Sequence, residues 1–415
     1  MNQAGPTVFQ PHIERRQKLG ALWKLLFLLS TLVGIIALAA LLLTVINDSF
    51  GLVALQYEVD PASLGRDGRP LERLEPDELR EILTARLSSG LIRRLESEKP
   101  LAERSREQLY DLAVERVAKL QVIESWSLAQ SLLSRGEIRR WLEENHPEAL
   151  LKFRSWVSWR FLVQPQASLP EKAGVRTALL GSLWMILIVV VVAFPLGVGA
   201  AIYLEEYARE NVFTRILQVN IYNLAGVPSI IYGILGLAVF VRLLARLTSG
   251  ALFGVGDLAT ANGRTILSAG LTLAALVLPL IIINSQEAIR AVPQSLRYSS
   301  YALGGTKWQT IWHHVLPGSF DRILTGTILA VSRAIGETAP LVVVGASTFV
   351  TLNPTSIFSK FTTLPIQIYQ WTARPQAEFR NVAAAAIIVL LVLLLAMNTA
   401  AILLRDRIGR RRREG

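Results

Sequence analysis

The stretch EAIRAVPQSLRYSSYALGGTKWQTIWHHVLP occupies residues 287–317, between two long apolar segments of the chain. Its apolar residues recur at helical spacing, and Pro293, Gly304-Gly305 and Pro317 interrupt the pattern. The stretch therefore predicts short amphipathic helices, separated at these residues, that lie along a membrane face. A cytoplasmic helix-turn-helix of this kind is a suitable contact for a soluble motor protein.

The linker of which this stretch is the centre runs from 285 to 322, and its side chains divide by polarity. Its apolar positions are expected to pack against the membrane bundle or a partner; they are Leu296, Tyr301, Leu303, Trp308 and Ile311. Arg297 and Lys307 are expected to stay in water.

The composition outside the linker indicates an integral membrane protein. The 415 residues are 52% hydrophobic and 18% charged, and the mean hydropathy is +0.40. Soluble domains carry about 25% charged residues. The chain has no cysteine and four histidines, so disulfides and thiolate metal sites are excluded and no metal site is expected.

Six segments are long and apolar enough to cross a bilayer as helices, which requires about 20 residues each. They are Leu22–Ile46, Thr177–Leu204, Gln218–Val241, Thr265–Asn284, Ile323–Phe349 and Val382–Leu404. The predicted fold is therefore an all-α integral membrane protein with six transmembrane helices. The fifth segment differs from the others because it contains Arg333 and Glu337.

Basic residues flank the first and last segments. Arg15, Arg16, Lys18 and Lys24 lie at the start, and Arg405, Arg407 and Arg410–Arg413 lie at the end. The positive-inside rule places both the tail 1–21 and the basic tail 405–415 in the cytoplasm. The basic residues are expected to contact lipid headgroups, and no nucleic acid partner is expected.

This topology places residues 47–176 outside, between the first and second transmembrane helices. Leu79, Ile82 and Leu83 recur at helical spacing, as does the set Leu109, Leu112, Ala113, Val117 and Leu120. Pro76 and Pro100 are expected helix starts, and Glu115 and Lys119 an i,i+4 ion pair. The sequence predicts an extracytoplasmic helical insertion.

Four further stretches and the linker together carry a family resemblance. The stretches are PEKAGVRTALLGSLW (170–184), AIYLEEYA (201–208), PSIIYGILGL (228–237) and RAIGETAP (333–340). In order and spacing they resemble the PstA family of permease subunits in phosphate ABC importers. The linker resembles the EAA loop of ABC importer permeases, although Tyr298-Ser299-Ser300 stand where that family has Glu-Ala-Ala.

The resemblance implies the type I ABC importer permease fold, with 177–404 as a core of five transmembrane helices after the first. It implies a plasma-membrane permease that moves inorganic phosphate by alternating access. The implied partners are a PstC-like permease, a PstB-like ATPase dimer and a PstS-like phosphate-binding protein. ATP and Mg²⁺ belong to the ATPase, so this chain has no expected cofactor or catalytic residue. The implied contacts with the ATPase involve Glu287, Gly304, Gly305, Lys307, Leu316 and Pro317.

Arg333 and Glu337 are the predicted substrate-pathway residues, because ionisable groups within a span usually serve function. The paired N–H donors of an arginine suit an oxyanion. A carboxylate can accept a hydrogen bond from the O–H group that phosphate has near neutral pH and sulfate lacks. Ser332 and Thr338 can add hydroxyl donors. The alternative is a neutral pair that orders the bundle. Helix kinks are expected at Pro195, Pro228, Pro279 and Pro340.

Two other functions fit the same features. The cargo can be another oxyanion, such as molybdate or sulfate, with the same transport mechanism. Alternatively the chain can be a membrane sensor, with 47–176 as its receptor domain and the linker as its signalling arm.

Overall fold

The computed structural model describes residues 13–65, 69–98, 100–255, 262–346, 350 and 352–414. The helices of the first half are α1 Ile13–Ser49, α2 Pro76–Arg86, α3 Ser89–Glu98, α4 Arg106–Ala113, α5 Leu128–Leu133, α6 Arg135–Asn145 and α7 Trp159–Val163. Those of the second half are α8 Arg176–Ile202, α9 Val212–Ala225, α10 Ser229–Gly236, α11 Ala245–Thr248, α12 Ile266–Arg290, α13 Gln294–Ala302, α14 Lys307–Thr310, α15 Leu316–Gly336, α16 Ala339–Val344, α17 Leu364–Thr372 and α18 Glu378–Glu414.

Four helices in the described part of the chain are long and apolar enough to cross a membrane. They are α1, α8 with the π-helical turn Tyr203–Tyr207, α12 and α18, and they contain the first, second, fourth and sixth predicted segments. A fifth crossing exists if the bent pair formed by α9 and α10 is one span.

The third and fifth predicted segments are interrupted helices rather than continuous ones. Val212–Ala225 and Ser229–Leu243 are bent by 104° at the break between them. α15 ends at Gly336 and α16 begins at Ala339, so the fifth segment is divided at Glu337-Thr338. The end of that segment, 347–349, lies outside the described residues.

The four prolines predicted as kinks occupy two kinds of position. Pro195 and Pro279 lie inside the unbroken helices α8 and α12. Pro228 precedes α10 at the 104° break. Pro340 is the second residue of α16, in the first turn, where its missing N–H would have no partner within the helix, so it does not kink a continuous helix.

The membrane core is built around α8 and α12, which approach each other closely through small residues. A β-carbon on Gly197 would lie 2.6 Å from the side chain of Ile281, and one on Gly270 would lie 2.7 Å from that of Ile188. Small residues at such crossings allow close backbone contact, which replaces the hydrophobic effect as the driving force within a bilayer. The two helices thus form the fixed centre against which α15 also packs.

The prediction of a purely helical insertion was wrong, because residues 47–176 contain a three-stranded antiparallel sheet. The strands are β1 Phe50–Tyr57, β2 Leu120–Ser125 and β3 Leu150–Ser155, in the order β2-β1-β3. β1 follows α1 without a break, and five consecutive residues in it are buried. A strand that is buried on both faces has no alternation of apolar and polar residues. Its sequence therefore cannot be distinguished from the end of the preceding apolar span.

The second predicted amphipathic helix ends earlier than its periodicity indicates. α4 continues into a π-helical turn at Val114–Ala118, and Lys119 then takes the left-handed conformation with φ 45° before β2 begins at Leu120. The Lys119 ammonium lies 3.1 Å from the Glu58 carboxylate, and the backbone of its predicted partner Glu115 belongs to the π-helical turn. Pro76 does start α2, whereas Pro100 precedes a short 3₁₀ turn.

The insertion packs in two layers. α2 and α4 share an apolar core that includes Leu79, Leu83 and Leu109. The sheet packs instead on the ends of α17 and α18, where Val53 shares a cluster with Trp371 and other bundle residues. The sheet therefore shares its apolar core with the membrane bundle, whereas α2 and α4 have a core of their own.

Candidate coupling site and substrate pathway

The linker folds as the predicted helix-turn-helix. α13 and α14 are joined by a turn in which Gly304 has φ +81°, a conformation that favours glycine. The Thr306 hydroxyl accepts a hydrogen bond from the backbone N–H of Gln309 and so caps α14. The prediction of a break at Pro317 was wrong: α14 continues through the π-helical turn Ile311–Val315 into α15. A π-helical turn changes the hydrogen-bond register and can accommodate a proline that lacks an N–H.

An apolar cluster anchors the linker on the bundle. It joins Ile289 and Val292 at the end of α12 to Val315 and Ile323, and Leu316 packs at its edge. Ala201 of α8 completes the contact between the linker and the core. The linker is therefore in direct contact with α8, α12 and α15.

The prediction that Arg297 stays in water was wrong. Its side chain is 8% exposed, and its guanidinium Nη2 lies 2.8 Å from Oε1 of Glu206, which is itself 7% exposed. The same guanidinium donates to the backbone carbonyls of Val292 and Ile289 at 2.7 and 3.0 Å. All these partners are needed because a buried charge is stable only when paired and hydrogen-bonded.

Glu206 belongs to the π-helical turn Tyr203–Tyr207, hereafter the YLEEY segment, which contacts the linker at three points. Besides the Arg297 contact, both carboxylate oxygens of Glu205 accept from Arg290, at 2.6 and 3.1 Å. The Lys307 ammonium lies 5.2 Å from the centre of the Tyr207 ring, as a cation–π contact. Three consecutive side chains thus hold both sides of the linker turn.

The opposite surface of the linker is apolar and exposed. Leu303 is 90% exposed beside the turn, and Trp308 and Trp312 stack with ring centres 5.6 Å apart while both remain exposed. Of the apolar positions predicted to pack on the bundle or a partner, only Ile311 is buried within this chain. Glu287 is exposed at the end of α12. Large exposed apolar patches indicate a protein contact surface.

The predicted pathway residues Arg333 and Glu337 lie at the break between α15 and α16. Glu337 ends α15 in an extended conformation, with φ −74° and ψ 119°. Its Oε1 lies 3.6 Å from Nε of Arg333, so the two groups form a loose ion pair. The Arg333 side chain is 59% exposed and that of Glu337 is 19% exposed. The guanidinium therefore faces outward from the chain, with the carboxylate behind it.

The two predicted hydroxyl donors have different surroundings. The Ser332 hydroxyl lies 2.6 Å from Oδ1 of Asn398 in α18 and 2.7 Å from the carbonyl of Ile328. Its single proton is therefore already used within the bundle. Thr338 is half-buried at the start of α16, between Glu337 and Pro340.

The two interrupted helices meet each other. A β-carbon on Gly233 of α10 would lie 2.7 Å from Cα of Pro340 and 3.1 Å from Cβ of Val343. The stretches PSIIYGILGL and RAIGETAP, far apart in sequence, therefore form one contact beside the Arg333–Glu337 pair. Interrupted membrane helices commonly build transport sites at their breaks.

Several of these contacts were not predicted from the sequence. Glu205, Glu206 and Asn398 were not proposed as functional residues, although the first two belong to a stretch that carries the resemblance. The available signal was two adjacent carboxylates at the end of an apolar span, which require cationic partners. Arg290 and Arg297 in the linker, 85 and 91 residues later, supply those partners.

The interrupted helices, the amphipathic linker and the outward-facing charged pair define a non-catalytic membrane subunit of a transporter. Residues 193–414 match the family model of binding-protein-dependent transport system inner membrane components, and the chain belongs to this family. It is thus a multi-pass membrane protein with the type I ABC importer permease fold. Members of this family work with a partner ATPase and a binding protein, and the ATPase hydrolyses ATP.

Three relatives illustrate the range of similarity. The probable ABC transporter permease protein YqgI of Bacillus subtilis is 32% identical over 52% of this chain and 68% of its own length. Phosphate transport system permease protein PstA of Mycobacterium leprae is 35% identical over 50% of this chain and 63% of its own. The corresponding protein PstC of Xylella fastidiosa is 37% identical over 47% and 62%. PstA and PstC proteins therefore resemble this chain to a similar degree.

Proposed function

We propose that this chain is a permease subunit that imports inorganic phosphate across the plasma membrane. The main observation behind this proposal is that the Arg333 side chain is 59% exposed beside a break in a membrane helix. A charge at such a position needs an anion or a partner subunit to neutralise it. The relatives named as phosphate permeases support the choice of anion.

The geometry suits a partly protonated oxyanion. The Arg333 guanidinium offers directed donors to phosphate oxygens, and its 3.6 Å contact with Glu337 is loose enough for an anion to replace. Glu337 then lies beside the anion as an acceptor for a phosphate O–H. Sulfate has no proton near neutral pH and would leave that acceptor unpaired. Among the described residues the Thr338 side chain, unlike that of Ser332, has no hydrogen-bond partner, so Thr338 is the better candidate for a supporting hydroxyl donor.

The full transporter in this proposal contains a second, PstC-like permease, a PstB-like ATPase dimer and a PstS-like binding protein. The exposed linker surface with Leu303, Trp308 and Trp312 is the ATPase contact. Both termini then lie in the cytoplasm with the linker, and residues 47–176 lie outside. Glu287, Gly305 and Pro317 stay proposed coupling residues.

Alternating access in this proposal uses the YLEEY segment as a rigid connection. When the ATPases close, they move the linker, and the contacts of Glu205 and Glu206 carry that movement to α8. α15 moves with the linker because the helix is continuous from Lys307 to Gly336. The break at Glu337 lies at the far end of that continuous helix and opens or closes the site.

The test is phosphate-stimulated ATP hydrolysis by the complex reconstituted in vesicles with its ATPase and binding protein. Phosphate should stimulate hydrolysis and be taken up, whereas sulfate and molybdate, each supplied with a matching binding protein, should not. Stimulation by molybdate or sulfate alone would assign the other oxyanion. A chain that never co-purifies with an ATPase would contradict transport and favour a sensor.

A further inference from the structure

A cleft of about 620 Å³ lies between the sheet, the end of α4 and the loops on either side of α7. Its cationic lining residues are Lys152, Arg154, Arg160 and Lys172, and its acidic ones are Asp111 and Glu171. The lining therefore carries a net charge of two positive. The cleft lies before the family match, which begins at residue 193.

The position of two of these cations is unusual for a sheet that covers an apolar bundle. Lys152 pairs with Val53 and Arg154 pairs with Gly51 across β1 and β3. Directly paired residues lie on the same face of a sheet, and Val53 is 1% exposed within the cluster that joins the sheet to α17 and α18. Lys152 and Arg154 thus lie on the same face of the sheet as Val53, at its edge strand, where Lys152 is exposed and Arg154 half-buried.

Arg154 is held in place on this face. Its guanidinium stacks over the Trp156 ring at 4.4 Å and donates to the backbone carbonyl of Glu171 at 2.9 Å. Burial lowers the pKa of Arg154, and the nearby Glu171 carboxylate partly opposes that effect. Glu171 is not simply its counterion, because Oε1 also accepts from the backbone N–H of Val122 at 3.1 Å. One of the five guanidinium N–H groups is used by the carbonyl.

We propose that this cleft binds a phosphate monoester, with the phosphate against Arg154 and Lys152 and the organic body against Trp156 and Phe161. The dianion matches the net charge of the lining, and an arginine fork suits phosphate oxygens. The volume lies within the usual range for small-molecule sites and far exceeds that of phosphate alone. Val53, Leu55 and the exposed Phe153 line the cleft beside these cations, so an organic group is part of the proposed ligand.

This site is separate from the proposed pathway and does not depend on which anion is transported. The ester can come from a soluble metabolite or from a phosphatidic acid headgroup, since Phe161 contacts Trp371 at the bundle end. The experiment uses the complete complex in phosphatidylcholine nanodiscs. Binding of sn-glycerol 3-phosphate is measured by equilibrium dialysis, with glycerol as the uncharged control. Retention of phosphatidic acid is measured by native mass spectrometry.

Arg154→Gln and Lys152→Gln should each weaken binding of one of these ligands about tenfold or more, as expected for loss of a charged hydrogen bond. Arg139→Gln is the matched control, since Arg139 is exposed on α6 outside the cleft. Loss of the soluble ester identifies a metabolite site, and loss of phosphatidic acid identifies a lipid site. Lys152 is exposed, so its variant decides the outcome if the Arg154 variant does not fold. Binding of both ligands at the level of the Arg139 variant would overturn the proposal.

Discussion

One arginine–glutamate pair joins the linker to the YLEEY segment and another lies at the break after Gly336, and the two pairs differ in burial, distance and partners. The Arg297–Glu206 pair is buried, has a 2.8 Å contact and shares its guanidinium with two backbone carbonyls. The Arg333–Glu337 pair has a 3.6 Å contact, and its arginine is more than half exposed. A charged side chain whose hydrogen-bond partners all come from its own chain stabilises the fold. A charged side chain that lacks such partners is available to bind a substrate or another subunit.

The largest expected effect is at the buried pair. Glu206→Ala leaves Arg297 buried without its carboxylate, a change that typically costs about 3 to 5 kcal/mol. The thermal unfolding midpoint of the purified complex should fall strongly, and phosphate-stimulated ATP hydrolysis should be lost. Reversal by Glu206→Arg with Arg297→Glu should not restore either property, because the carbonyls of Val292 and Ile289 would then face a carboxylate.

Glu210→Ala is the matched control for this change, since Glu210 is exposed four residues further along the chain. It should leave both measurements near their wild-type values. A Glu206 variant as stable and as active as the Glu210 variant would show that the buried pair does not hold the linker.

At the exposed pair, the expected effect is on transport and not on stability. Arg333→Ala and Arg333→Lys should each reduce phosphate uptake about tenfold or more, because both remove the guanidinium fork. The unfolding midpoint should stay within error of the wild type, since the side chain is mostly exposed. Arg322→Ala, at another exposed arginine of α15, is the control for a general loss of positive charge.

The charge reversal distinguishes the two pairs directly. Arg333→Glu with Glu337→Arg should stay inactive if the arginine contacts phosphate, because the fork then lies elsewhere. Uptake close to wild type in this double variant would assign the pair to the bundle and remove it from the pathway.

The sequence located the apolar helices because each has about 20 apolar residues in a row, a signal that needs no partner. It did not predict the division at Glu337, since the flanking stretches are apolar on both sides and the helix end depends on α10 packing at Pro340. Arg297 was predicted to be in water because its carboxylate partner Glu206 is 91 residues away in the sequence. Pairings over such distances are set by the packing of α8 on α12 and not by local pattern.

The sheet was missed for a related reason. β1 begins immediately after α1 and is buried on both faces, so it carries no alternation. β3 alternates, but the residues that share a face with the buried Val53 include Lys152 and Arg154, which by polarity would be placed on the opposite face. Lys152 and Arg154, which made β3 difficult to predict, are the residues to which the proposed cleft gives a role.

A smaller effect is expected at the linker turn, where a substitution changes the backbone conformation and not the charge. Gly304 has φ +81°, a conformation that costs another residue about 1 to 2 kcal/mol. Gly304→Leu should reduce phosphate-stimulated ATP hydrolysis about fivefold or more, whereas Gly304→Asn should be better tolerated. Both variants should insert normally in the membrane.

Gly136→Leu is the control for this substitution, since Gly136 lies in helix α6 with open space where its β-carbon would be. Wild-type coupling in the Gly304→Leu variant would mean that the turn geometry does not position α13 and α14 on the ATPase. The buried Arg297–Glu206 pair would then be sufficient to hold the linker by itself.

The smallest expected effect is at Ser332, which lies next to Arg333 but has partners within the chain. Its hydroxyl donates toward Asn398 and the Ile328 carbonyl, so Ser332→Ala removes about one ordinary hydrogen bond, worth about 1 kcal/mol. The unfolding midpoint should fall slightly and phosphate uptake should stay within about twofold of wild type. Thr338→Val, which removes the other predicted hydroxyl, is the matched comparison and should reduce uptake more. If Ser332→Ala impairs uptake as strongly as Arg333→Lys while the unfolding midpoint is unchanged, the serine contacts the anion. A hydroxyl that is hydrogen-bonded within its own chain would then still belong to the substrate pathway.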